Sequence, residues 1–416
     1  MPSTPDTPVF GTATRRTVLR TAAAVGTATG LAGCSSSRDG AFPDDDWPMA
    51  GGGPRNAAAV DATVPGAVTE SWRAKLGGWR ITQPVVVDGT VYVGTDRRYR
   101  ALSAADGSQV WEARLSSRDT AGVAPHEVAG PPAYAMSADV LVVTTYEGGP
   151  EGRGGLVAAF DAATGRRRWR LNPAGRYAYG VRVEGDTAYL RTSTECLAVS
   201  VADGSVEWRR SGFEPLAYET FNVGETFGIG VAPTVAHDSV YVPDRNRLRA
   251  LSTDTGEQRW AVDLPYCLSG PAVHGDRVYA RGYSGESRTV ALTPDGRETW
   301  RAPVGGLAAP TATADRVFVV DGDVVALNAA TGEERWRWDL RSDVIRATPV
   351  ATDGAVIALG TRSAALRRDR PRFGIGDRVL WSLPGETTDT VSPVVGAGHL
   401  YVVNPFTDHL VAYTGG

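Results

Sequence analysis

The chain repeats itself. Segments that open on Pro and close on Trp run from Pro84 to Trp111, Pro233 to Trp260, Pro271 to Trp300 and Pro310 to Trp336. Two degenerate copies end at Trp169 and Trp208. Another runs from Pro349 to Trp381 with a diverged middle, and a last one from Pro393 stops before its Trp. Within a copy, a first apolar run meets a turn such as Asp88-Gly89 or Asp353-Gly354. A second run follows, as Val91-Tyr92-Val93, Val240-Tyr241, Val278-Tyr279 or Val317-Phe318-Val319. Asp-Gly between alternating apolar residues marks a tight hairpin, because both turn positions favour positive φ. A third run carries an Ala-Leu step: Ala101-Leu102, Ala250-Leu251, Ala291-Leu292 or Ala326-Leu327. A second tight turn then precedes the Trp strand, at Asp106-Gly107, Thr164-Gly165, Asp203-Gly204, Thr255-Gly256, Asp295-Gly296 and Thr331-Gly332. Four short strands with two apolar faces must stack on neighbours to bury both. The spacing runs from 36 residues (Trp300 to Trp336) to 58 (Trp111 to Trp169). It predicts an all-β chain folded as a β-propeller of four-stranded antiparallel blades.

Eight Trp stand at repeat ends: Trp72, Trp111, Trp169, Trp208, Trp260, Trp300, Trp336 and Trp381. Trp72 precedes the first complete repeat, and the last repeat lacks its own. Eight blades are therefore expected, with the N-terminal strand supplying the fourth strand of the last blade. Seven is the alternative if the copy near Trp208 or Trp381 is not a blade. Such closure removes open sheet edges. The Trp role is expected to be structural, since a large planar ring with one donor can wedge between blades and still satisfy its N–H. Trp47, Trp79 and Trp338 fall outside this scheme.

The first segment reads as an address. Arg15 and Arg16 precede a weakly apolar stretch, Val18 to Gly33, which closes on Leu31-Ala32-Gly33-Cys34. This looks like a twin-arginine export signal ending in a lipobox. The expected division is a signal peptide over 1–33, a flexible leash over 34–46 and a propeller over 47–416. Cys34 is the expected lipid acceptor, which anchors the protein to the outer face of the cytoplasmic membrane without a spanning helix. No later run reaches 18 consecutive apolar residues. A formal net charge of −4 argues against a nucleic-acid binder that gains affinity by neutralising phosphate. Three Cys and no Cys-x-x-Cys exclude a disulfide scaffold and a zinc ribbon. A monomer is expected.

The element Ala-Leu, three residues, Asp/Thr-Gly, three residues, Trp closely resembles the repeat of the pyrroloquinoline quinone (PQQ) propeller family. The copies ending at Trp111, Trp260 and Trp336 match it in full. Trp47-Pro48-Met49 with Asn56 also looks like the opening segment of secreted members. The resemblance implies fold more than activity. The family holds PQQ-dependent dehydrogenases, and also non-catalytic lipoproteins of the BamB type that bind protein partners. The dehydrogenases imply adjacent cysteines and a Ca²⁺ held by oxygen ligands beside the quinone. Here Cys196 and Cys267 lie far apart, and the acidic clusters, Asp321-Gly322-Asp323 and Asp44-Asp45-Asp46, fall in a turn and on the leash. Catalysis is therefore not assigned and no cofactor is expected, with PQQ and Ca²⁺ as the alternative. His126, His237, His274, His399 and His409 show no metal-ligand spacing. Cys196 and Cys267 are expected as buried thiols.

In a propeller the segments just before each first strand ring one mouth of the axis. Arg80, His126, Tyr177, Tyr266, Arg346 and Asp389 fall in such segments and are the candidate site, for a protein partner or a small ligand. Longer excursions, Glu147 to Gly155, Phe213 to Gly230 and Arg367 to Asp377, add surface of the kind that carries function on rigid scaffolds.

Overall fold

The computed structural model describes residues 45–61, 63–77, 81–95, 98–114, 133–137, 139–146, 155–173, 178–214, 232–267, 269–283, 286–341, 347–369, 378–383, 391–404 and 407–416. These form eight four-stranded antiparallel sheets, the blades of a propeller. Blade 1 comprises Val85–Val87, Thr90–Gly94, Arg98–Ser103 and Gln109–Arg114, hydrogen-bonded in that order from the axis outward. In blade 8 the sheet contains Val394–Gly396, His399–Asn404 and His409–Gly415, and its outer strand is Val68–Lys75 from the N-terminal end. The eight-bladed expectation holds, closure included, and the seven-bladed alternative falls because the copies at Trp208 and Trp381 both build complete blades.

The repeat has a local physical cause. In every blade the Ala of the third strand lies opposite the Trp of the outer strand, as Ala101 opposite Trp111, Ala250 opposite Trp260 and Ala412 opposite Trp72. A methyl there leaves the indole room to lie over the sheet. The ladder slips by one residue beside the Trp, a bulge that re-aims the ring. The aromatic of the second strand then packs on the same indole. Tyr92–Trp111, Tyr189–Trp208, Tyr241–Trp260, Tyr279–Trp300, Phe318–Trp336 and Tyr401–Trp72 have ring centroids 5.8–6.0 Å apart.

Each indole N–H donates to a backbone carbonyl of the following blade. Trp72 reaches Ala104 O (2.8 Å), Trp111 Ala162 O (2.7 Å), Trp169 Val201 O (2.7 Å) and Trp208 Thr253 O (2.6 Å). Trp260 reaches Pro294 O (2.8 Å), Trp300 Ala329 O (2.9 Å) and Trp336 Arg368 O (2.8 Å). Trp381 reaches Pro65 O at 2.9 Å, on the approach to the closing strand. The turn glycine explains itself at the same contact. Gly256 has φ +66°, and a Cβ there would stand 2.5 Å from the Trp208 ring. A side chain is thus refused twice, by backbone conformation and by the docked indole.

A second tie runs along the inner edge. Residues 45–60 turn once about the axis and bond the inner strands blade by blade. Trp47 exchanges two backbone bonds with Val86 of blade 1, 2.6 and 2.9 Å. Met136 of blade 2 donates to Pro48 O, Val235 of blade 4 to Pro54 O and Val273 of blade 5 to Arg55 O. Ala312 of blade 6 donates to Ala57 O, Ala351 of blade 7 to Ala58 O and Ala397 of blade 8 to Asp45 O. Blade 3 uses a side chain instead: Arg182 donates from Nε to Pro233 O (2.9 Å) and from Nη1 to Gly53 O (3.1 Å) and Ala50 O. These bonds satisfy N–H groups on the free edge of each inner strand, where an unpaired buried donor costs about 1–3 kcal/mol. Trp47 is completely buried, with Gly52 against its ring. Asn56 donates from Nδ2 to Gly270 O and Pro271 O, both 3.2 Å. Gly51 lies so close to Asn56 that a Cβ would meet its Oδ1 at 2.1 Å. Asp45 and Asp46, read from sequence as the end of the leash, are engaged in the fold: Asp46 Oδ1 accepts from Asp88 N at 2.9 Å.

Candidate functional site

Antiparallel order gives each blade two ends. Both hairpin turns lie on one face of the ring. The loops between second and third strands, and the connections from one blade to the next, lie on the other. The predicted mouth belongs to this connection face. Arg80, His126, Tyr177, Arg346 and Asp389 lie outside the described residues. Tyr266 lies within them, in the connection between blades 4 and 5.

Tyr266 has φ +49°, a left-handed conformation that a bulky residue rarely adopts. Its neighbours hold it there. Cys267 N donates to Arg245 O at 2.8 Å, and Tyr283 N to Pro265 O at 2.7 Å. Arg245, in the adjacent loop of blade 4, is also left-handed at φ +46°. Tyr266 meets Tyr283 edge to face, centroids 6.3 Å apart and planes at 73°, and Tyr283 is 47% exposed. Strained backbone of this kind persists where surrounding structure over-determines it, often at binding surfaces.

Beneath this rim lies a charged clasp between blades 3 and 4. Arg191 is fully buried. It donates to Pro243 O (3.2 Å) and Glu214 O (2.8 Å), and lies 3.7 Å from Asp244. Arg249 binds the other Asp244 oxygen at 2.6 Å. Both guanidiniums stand 4.6 Å from the Phe213 ring centre. Glu214 N donates to Asp244 Oδ1 at 2.8 Å, so the clasp fixes the start of the long excursion that Phe213 opens. Burial pulls Arg191 down to about 10 despite Asp244, and pulls Arg182 down to about 9. Burial also pushes the Cys196 and Cys267 thiols up to about 12. Both thiols are unpaired with one another and protonated at neutral pH, which makes them poor nucleophiles.

The other sequence candidates are held by ordinary partners. Asp321 and Asp323 face each other across the tight turn at Gly322, and Asp323 binds Arg337 at 3.0 Å. His237 bridges Tyr241 OH (3.2 Å) and Gly275 O (2.8 Å). His399 Nδ1 lies 2.8 Å from Ala397 O. Among the described residues no three His, Cys, Asp or Glu side chains converge. Those side chains do not assemble the oxygen set that a calcium-held quinone needs.

The buried arginines and the inner tie escaped the sequence reading. Arg182, Arg191 and Arg281 interrupt strand runs such as Val181-Arg182-Val183, and that break in alternation was the available signal. Arg281, in blade 5, donates to Leu307 O at 2.5 Å.

Likeness to known proteins agrees with this architecture. The family profile described as outer membrane protein assembly factor BamB matches residues 14–149, 153–265 and 244–404. Serine/threonine-protein kinase AfsK of Streptomyces griseus is 26% identical over 298 residues, covering 60% of this chain and 34% of that protein. Outer membrane protein assembly factor BamB of Burkholderia pseudomallei is 29% identical over 149 residues, covering 33% of this chain and 39% of that protein. The matches thus span little more than a third of either relative. The crystal structure of BamB from Moraxella catarrhalis superposes with a TM-score of 0.61 at 19% identity, covering 83% of this chain and 97% of that one. The chain belongs to the PQQ-repeat β-propeller family described as outer membrane protein assembly factor BamB.

Proposed function

We propose that this protein is an exported, lipid-anchored propeller that serves as a binding or assembly scaffold for a protein partner, as a monomer and without catalysis or cofactor. In this reading Arg15 and Arg16 direct export and Cys34 carries the lipid on the outer face of the cytoplasmic membrane. The partner engages the connection face, with Arg80, His126, Tyr177, Tyr266, Arg346 and Asp389 as its candidate contacts. One observation supports the reading most. The Tyr266–Tyr283 pair stands on that face, half exposed, on backbone held in a strained conformation by a ring tied at both edges. Rigid aromatic groups with a polar tip are the common anchors of protein interfaces.

The test is photo-crosslinking in intact membranes with a reactive residue at position 283, and at position 276 on the hairpin face as comparison. A discrete protein adduct at 283 and none at 276 is the expected result. Turnover of alcohols or sugars by purified protein supplied with PQQ and Ca²⁺ would overturn the scaffold reading in favour of a dehydrogenase.

A further inference from the structure

We infer that the hairpin face of the ring is the one turned toward the lipid surface, and that the connection face points away from it. The inference rests on the proposed lipid at Cys34, and the observation behind it is where the chain enters the fold. Asp45 O accepts from Ala397 N and Asp46 Oδ1 from Asp88 N. Ala397 and Asp88 both belong to first-hairpin turns, those of blades 8 and 1. The chain therefore enters next to the axis at the hairpin face, and residues 47–60 then bind it into all the remaining blades. It cannot migrate to another exit without breaking those bonds.

Ten residues lie between Cys34 and Asp45, eleven steps along the chain. Fully extended they span roughly 38 Å, and as a flexible coil about 18 Å. Turning the connection face to the membrane would take the tether across a blade and up its rim. Three strand spacings come to about 14 Å and a seven-residue strand to about 23 Å. That path uses the whole contour and leaves nothing for the inner radius or the side chains. With the hairpin face down, the relaxed length suffices. First-hairpin turns of seven blades carry Asp88, Asp139, Asp186, Asp238, Asp276, Asp315 and Asp353. Asp139, Asp276 and Asp315 pair there with Arg168, Arg277 and Arg316, so these turns offer polar, ion-paired groups to the headgroups instead of apolar surface that would insert.

Blade 5 supplies a ruler. Asp276 lies at the hairpin end of strand Arg277–Tyr283, is 87% exposed, and is separated from Tyr283 by the length of the strand. The full-length protein, in membranes of the cells that lipidate it, is labelled with a donor fluorophore at Asp276→Cys or Tyr283→Cys, with an acceptor lipid in the bilayer. Cys196 and Cys267 are buried and do not compete for label. Higher energy transfer from position 276 than from 283 is expected. Equal transfer means an edge-on ring, and higher transfer from 283 an inverted one; either overturns the orientation alone. If Cys34→Ala leaves the membrane-bound fraction unchanged, the anchoring reading itself fails, and the orientation with it.

Discussion

At the outer edge, the only blade Trp260 reaches beyond its own is the next: its indole N–H ends on Pro294 O, and its ring covers Gly296. At the inner edge, residues 45–60 touch all of them. The first tie repeats because each blade needs the same local fit, and repetition makes it readable. The second occurs once and follows no period. Each blade asks for one acceptor on its free edge, and a single extended segment can offer acceptors in succession. A closed ring therefore has neighbour-to-neighbour stability at the rim and shared stability at the axis.

The contrast is broken most severely at Trp47. Trp47→Ala empties a completely buried site in the inner tie, with an expected cost of about 3–5 kcal/mol by denaturant unfolding. A cost near that of a surface change would make the tie an ornament. At the rim, Gly256→Ala forces a methyl into the Trp208 ring and a left-handed backbone on alanine, for about 2–4 kcal/mol. Gly89→Ala is its control. Gly89 has a similar φ of +67° but nothing within 4 Å of the added carbon, so only the backbone cost of about 1–2 kcal/mol should appear. Equal losses at both would deny that the indole sets the glycine.

Trp260→Phe keeps most of the ring and removes the donor to Pro294 O, for about 1–2 kcal/mol. Its effect on amide exchange should stay within blades 4 and 5. The smallest effect belongs to the surface. Arg168 and Thr164 hold the exposed Asp161 carboxyl down at about 2. Because its folded value is depressed, the stabilisation is present above the usual carboxylate range and fades as pH falls toward 2. Asp161→Asn should lose that small stabilisation at pH 7 and flatten the fall in stability as pH drops toward 2, read by acid unfolding.

The blades were legible because Asp-Gly turns, the Ala-Leu step and the Trp each answer a contact made within one repeat or to the next. The closing strand was legible from the same logic, since Trp72 stood one position too early and the last copy lacked its own. The inner tie was not. Trp47, Gly51, Gly52 and Asn56 meet blades distant in sequence, as in the bond from Asn56 to Gly270, and no spacing rule announces such contacts. Arg182 was invisible for a related reason: in a strand it reads as a solvated charge, whereas here it takes the place of a backbone donor in blade 3. For the site, sequence placed Tyr266 in a connection but offered no hint of its partner Tyr283, which lies on a different element of the next blade.

The most direct test of the shared inner tie is hydrogen exchange at Val86, Met136, Val235, Val273, Ala312, Ala351 and Ala397, the amides that donate to residues 45–58. In Arg182→Met the segment loses its hold at blade 3. Protection should fall at all seven amides together, including those in blades 7 and 8 that Arg182 does not touch. A loss confined to blade 3 and its neighbours would mean that the segment is held piecemeal, and that the ring is tied only at its rim.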